Sequence, residues 1–155
     1  WKLTPSVSYP GGNESTAAET STGSLLMNAR NQSGDVKARI LAFTSDAGES
    51  WSEVQVAHNL PDPVCEGSML DYQTPGGRSV LLFANLNSQS KREKLTVRVS
   101  LDDGRNWSAG REIYAGSAAY SDLVVQADGQ IGLLYEKDNY TKINYARFSY
   151  DWLTK

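Results

Sequence analysis

Cysteine occurs once in these 155 residues, at Cys65, and histidine once, at His58. A single cysteine excludes an internal disulfide framework, and its default place is that of a small buried hydrophobe. One of each also leaves no Cys/His cluster for structural zinc. His58 falls in a polar stretch and reads as a solvated side chain. Neither a Gly-x-Ser-x-Gly elbow nor a phosphate-cradling glycine loop occurs, so serine-hydrolase and nucleotide-binding readings find no support. Strong charge is missing too. The net charge is −3 and the pI about 5.1, which leaves no basic footprint for nucleic acid. No apolar run approaches the length that crosses a bilayer. The chain opens with "WKLTPSVSYPGG", without an initiator Met or the basic and apolar regions of a secretion signal. No metal site and no cofactor is expected. The last absence is helical: no window sustains an i, i+3, i+4, i+7 apolar stripe.

What is present is a series of short β-type runs. "SLLMNAR" (24–30), "VKARILAFT" (36–44), "SVLLFAN" (79–85), "KLTVRVS" (94–100), "LVVQ" (123–126), "QIGLLYE" (130–136) and "INYARFS" (143–149) are β-branched, apolar or alternating. Turn chemistry separates them: "TPGG", "DDG", "ADGQ", "SDAG". The chain reads as all-β, with little or no helix. One pattern occurs twice, "TSDAGESW" at 44–51 and "SLDDGRNW" at 100–107. Both fit Ser/Thr-x-Asp-x-Gly-x-x-Trp, and each follows one strand-like run and precedes another. Each is expected to be a hairpin turn in which Asp accepts from turn amides, Gly takes positive φ and Trp packs beneath as a plug. The copies start 56 residues apart, about one four-stranded propeller blade with its loops. That spacing gives roughly three blades.

The repeat resembles the Asp-box of sialidases (neuraminidases), whose catalytic domain is a six-bladed β-propeller. Further stretches match that family in order. "GNESTAAET" and "LLMNARNQ" resemble its Asn-Glu segment and Asn-x-Arg strand, which implies Glu14 as partner of the nucleophile and Arg30 as an arginine of the carboxylate-binding triad. "DPVCEGSML" (62–70) resembles the connection to the next blade, with Cys65 and Glu66 as packing and loop-shaping residues. "SKREKLTVRVSLDDGRNW" resembles the strand that supplies another triad arginine, here Arg92; Arg98 reads as a structural contact near the second turn. "GSAAYSDL" resembles the segment of the nucleophilic tyrosine, Tyr120, and "GLLYEK" a strand whose glutamate, Glu136, steadies the remaining triad arginine. "YARFSYDWL" resembles the closing strand. The resemblance implies a sialidase-type, six-bladed β-propeller of which residues 1–155 form about three C-terminal blades. The family's first triad arginine, its Arg-Ile-Pro motif and its acid/base aspartate belong to the N-terminal half.

The chemistry explains these residue types. A sialic acid carries a carboxylate on its anomeric carbon, and a carboxylate nucleophile attacking there meets like-charge repulsion. A neutral phenol avoids it, and sialidases with tyrosine are an exception among retaining glycosidases. Tyrosine titrates near 10 and needs a neighbouring base, for which Glu14 is the candidate. Arginine offers a permanent, planar fork for a carboxylate that lysine cannot reproduce. Taken singly, each residue reads as ordinary surface or packing; the joint order and spacing carry the resemblance. The implied function is a retaining exo-α-sialidase acting on terminal α-linked sialic acids of glycoproteins, gangliosides and oligosaccharides. A trans-sialidase (intermolecular or intramolecular) and a non-catalytic sialoglycan-binding propeller are the alternatives. Implied partners are sialylated glycans and the N-terminal half of the propeller, without nucleic acid or a membrane span. The implied location is secreted, periplasmic or cell-surface, with lysosomal as the alternative.

Overall fold

The computed structural model describes residues 1–33 and 35–155. Ten strands follow one another: β1 (Gly12–Glu19), β2 (Leu25–Asn31), β3 (Ala38–Thr44), β4 (Gln55–Pro61), β5 (Ser68–Gln73), β6 (Ser79–Leu86), β7 (Glu93–Ser100), β8 (Arg111–Val125), β9 (Ile131–Lys137) and β10 (Lys142–Phe148). A five-residue helix, α1 (Tyr150–Thr154), ends the chain. One sheet has the order β1-β2-β3-β4, and the other β10-β9-β8-β7-β6-β5. Every pairing is antiparallel between sequence neighbours.

The long strand β8 makes the larger sheet into two blades. Residues up to Ser117 pair with β7, and residues from Ala118 pair with β9. The same strand is thus the outermost of one blade and the innermost of the next. The result is two four-stranded blades and a three-stranded one, a partial β-propeller.

Strand β6 shows why the blades stack. Leu81 and Phe83 point into the core shared with the first blade, beside Leu26, Leu41, Leu60 and Met69. The alternate residues Val80, Leu82, Ala84 and Leu86 point into the core shared with the third, beside Val97, Ile131 and Leu133. Side chains alternate across a strand, so a strand between two blades must be apolar on both faces. That is why "SVLLFANL" reads as a continuous hydrophobic run. Full burial of a side chain such as Phe83 contributes about 1.5–3 kcal/mol.

Several elements depart from expectation. Strands β1, β4 and β5 and the first half of β8 carry weak β signals, because they lie at blade edges or line the axis. β1, "GNESTAAE", is small and polar for that reason. The closing segment is a strand only to Phe148. Beyond it Ser149 caps α1, its hydroxyl accepting from Trp152 N at 3.1 Å.

Both Asp-box turns follow the third strand of a blade and share one geometry. Thr44 Oγ1 donates to Asp46 Oδ1 (2.7 Å) and accepts from Gly48 N (2.9 Å), while Asp46 Oδ1 accepts from Ser50 N (2.9 Å). In the second turn Ser100, Asp102, Gly104 and Asn106 repeat these contacts at 2.8–2.9 Å. Gly48 and Gly104 sit at φ 89° and 86°, where a side chain is strained. The tryptophans differ from the expected plug. Trp51 and Trp107 are half-buried rather than enclosed, and Trp107 packs against the core shared by the first two blades. Trp107 tilts against Phe83 with ring centroids 5.7 Å apart.

Candidate functional site

Two innermost strands are interrupted, and each interruption carries a candidate residue. In β1 the register with β2 shifts between Asn13 and Ser15, and Glu14 sits there at φ 37°. In β8 the register with β9 shifts between Ala118 and Ser121, which puts Tyr120 in the irregularity. Such bulges leave a residue unpaired and re-aim its side chain. The two side chains meet: the Tyr120 hydroxyl donates to Glu14 Oε1.

Arg30 lies on β2 opposite Asn13. Its Nε donates to Asn13 Oδ1 at 2.8 Å. Its Nη1 forms a 2.6 Å ion pair with Glu14 Oε2, off the line of a well-aligned hydrogen bond. Arg92, immediately before β7, approaches Tyr120 from the other flank, its guanidinium carbon 5.8 Å from the ring centroid. Its Nη2 donates to the Val64 carbonyl (2.8 Å) and its Nη1 to the Tyr140 hydroxyl (2.9 Å). Glu136, on β9, accepts from Tyr120 N at 3.1 Å and meets no arginine among the described residues. Glu14, Arg30, Arg92 and Glu136 thus gather around Tyr120. On one side of Tyr120 lies a shallow depression of about 330 Å³, lined also by Glu66, Leu134, Glu136 and Ile143.

The electrostatics follow. The hydrogen bond to the Glu14 carboxylate pushes the Tyr120 phenol above its ordinary pKa; burial and the Glu14 charge add, and Arg30 opposes. The phenol stays protonated at neutral pH and gains nucleophilicity only by handing its proton to a base. Cys65, nearby, is pushed up to about 11 by burial, with the Glu66 and Asp62 charges adding and Arg92 opposing. A buried neutral thiol of that kind is inert.

Two contacts were illegible in the sequence, Tyr140 and the carbonyl of Val64, and Asn13 was legible only as part of the Asn-Glu segment, without a role. Tyr140 lies on a loop-like stretch without periodicity, and a backbone carbonyl has no residue type to read. Arg98 also lies elsewhere than expected. It is buried and donates to Asn85 Oδ1 (2.7 Å) and Asn87 Oδ1 (2.8 Å), within its own blade rather than at the Asp-box turn. Burial lowers its pKa to about 10.

A larger cleft of about 1000 Å³ lies away from Tyr120, lined by Trp51, exposed His58 and the two Asp-box turns. Around Tyr120, by contrast, a phenol, carboxylates and guanidiniums are within reach of one another.

The chain is similar to known proteins over nearly its whole length. The family model described as a BNR repeat-like domain matches residues 1–133. A sialidase of Micromonospora viridifaciens is 38% identical over 148 residues, covering 92% of this chain and 22% of that protein. The chain belongs to the sialidase family. A sialidase of Bacteroides fragilis is 32% identical over 130 residues, 79% of this chain and 24% of that protein. Among solved structures, the Hadza microbial sialidase Hz136 superposes with a TM-score of 0.80 at 27% identity, over 93% of this chain and 29% of that one. This sialidase-family chain thus spans about a quarter of the relatives it matches. No helix among its described residues is long and apolar enough to cross a membrane.

Proposed function

We propose that residues 1–155 are the C-terminal part of the catalytic propeller of a retaining exo-α-sialidase. The observation that carries this reading is the continuous contact from Tyr120 through Glu14 to Arg30. The substrate class is terminal α-linked sialic acids on glycoproteins, gangliosides or oligosaccharides, which suits a secreted, periplasmic or cell-surface location.

In the first step the Tyr120 oxygen attacks the anomeric carbon while its proton passes to Glu14. The glycosidic C–O bond breaks, and the departing oxygen takes a proton from an acid of the N-terminal half. Water then attacks the anomeric carbon, giving a proton to the conjugate base of that acid; the bond from carbon to the Tyr120 oxygen breaks, and that oxygen recovers its proton from Glu14. Two inversions give overall retention. Arg30 and Arg92 bind the substrate carboxylate, together with a third arginine supplied by the N-terminal half. Glu136 holds the Tyr120 amide and offers its second oxygen to that third arginine.

The test is covalent trapping with a 2,3-difluoro sialosyl reagent in the full-length protein. Wild type is expected to gain one adduct on Tyr120, and Tyr120→Phe none. An adduct of undiminished yield in Tyr120→Phe overturns the nucleophile assignment.

A further inference from the structure

Residues 62–67, "DPVCEG", join β4 to β5, include none of the five candidate residues gathered at Tyr120, and contribute Glu66 to the wall of the adjoining depression. The segment nevertheless reaches both flanks of Tyr120. Its base is fixed by Arg39, 0% exposed, whose Nη1 donates to Asp62 Oδ2 (3.2 Å) and to the Cys65 carbonyl (2.6 Å). Arg39 Nε donates to Asn28 Oδ1 (2.8 Å), and Asp62 Oδ1 accepts from Cys65 N (2.9 Å). Moving either charge would leave the other buried and unpaired, which is strongly unfavourable. At the far end Gly67 packs so tightly that a Cβ there would lie 2.7 Å from the Phe83 ring. The segment is clamped at both ends.

Between the clamps the backbone is strained. Val64 sits at φ 61°, an outlier for a β-branched residue. Strain of that kind persists only where the surroundings over-determine it. The conformation turns the Val64 carbonyl to Arg92 Nη2. Two residues on, Glu66 Oε2 accepts from Ser121 N at 3.1 Å, the same distance at which Glu136 Oε2 accepts from Tyr120 N. Tyr120 lies in the β8 irregularity, and Ser121 is the residue at which register with β9 resumes, opposite Tyr135. Two carboxylates from different elements thus hold consecutive amides at the end of the bulge.

We infer that segment 62–67 is the positioning element of the site, with Glu66 setting the β8 bulge that aims Tyr120 at Glu14 and the Val64 carbonyl setting Arg92. The inference rests on the sialidase reading above. Glu66 touches no reacting atom; it acts through the Ser121 amide.

The experiment uses the full-length protein. Glu66→Ala is expected to lower kcat on an aryl sialoside, and the trapping rate with the difluoro reagent, by about 100-fold, the order expected of a misplacement near 1 Å. Affinity for the unreactive 2,3-didehydro analogue of sialic acid, held through the arginines, is expected to change less than about threefold, since binding does not require attack geometry. Glu66→Gln, whose amide oxygen still accepts from Ser121 N, is expected to recover most of the rate. A crystal structure of Glu66→Ala is expected to show the Tyr120 hydroxyl displaced from Glu14. An undisplaced hydroxyl overturns the inference whatever the activity. So does an equal loss of kcat and analogue affinity, or a Glu66→Gln variant as slow as Glu66→Ala. A wild-type protein that neither turns over sialosides nor is trapped defeats the sialidase reading instead, and the crystal comparison still decides the role of the segment.

Discussion

At the scale of single residues, hydrogen bonding outweighs burial in the proton affinity of Tyr120 and Asp46, whereas burial dominates at Cys65 and Arg98. Tyr120 holds its proton because Glu14 accepts it. Asp46 loses its proton readily for the opposite reason: Ser50 donates to it from both side chain and backbone, and Thr44 donates as well, lowering it from 3.8 to about 2. A carboxyl whose folded value lies below its unfolded one stabilises the fold above the unfolded value. That stability is lost as pH falls toward the folded value. The first Asp-box turn should therefore weaken between about pH 4 and pH 2. The expected outcome for Asp46→Ala in the full-length protein is a lower Tm at neutral pH and a flatter Tm profile across that acid window. A profile parallel to wild type would remove Asp46 from the account of turn stability.

At the scale of elements, the two Asp-box turns are alike inside and different outside. Asp103, beside the second turn's glycine, accepts from Ser21 N (2.8 Å) and Ser21 Oγ (2.9 Å), so this turn latches the second blade to the β1–β2 loop of the first. The matching residue of the first turn is Ala47, which has no such group. The latch is exposed, so Asp103→Ala should cost about 1 kcal/mol, measured by denaturant midpoint. Trp107→Ala should cost about 2–3 kcal/mol, below the value for a fully buried aromatic, because the indole packs on the inter-blade core but is only half-buried. A loss below about 1 kcal/mol would remove Trp107 from the account of inter-blade packing.

At the scale of the whole molecule, the third blade leaves a face uncovered. Val124 and Leu134 are each 47% exposed, Tyr145 49% and Ile143 70%. These residues come from all three strands of the blade. Clustered apolar exposure of this kind marks an interface. The occupant we propose is the N-terminal half of the same propeller. Residues 1–155 produced alone should self-associate by light scattering and show no turnover of a 4-methylumbelliferyl sialoside. Adding the N-terminal half as a separate fragment should give both a defined heterodimer and activity. Robust turnover by a monodisperse monomer of these residues would defeat the two-part site.

Some of this was determined by the sequence alone. The apolar runs of β2, β3, β6, β7 and β9 are strands because their residues must satisfy two cores at once, and that requirement is written in residue type. The Asp-box turns were equally legible, since Ser/Thr, Asp and Gly at fixed spacing close the same hydrogen bonds twice. The identities of Glu14, Arg30, Arg92, Tyr120 and Glu136 came from order and spacing within a resemblance. Their assembly did not. Glu14 and Tyr120 are 106 residues apart and meet because two strand irregularities, invisible to periodicity, face the same axis. The Val64 carbonyl and the Ser121 amide are backbone groups, and every residue carries those. What aims them is the left-handed conformation at Val64 and the buried Arg39–Asp62 pair beneath it, and both exist only once the blades have packed.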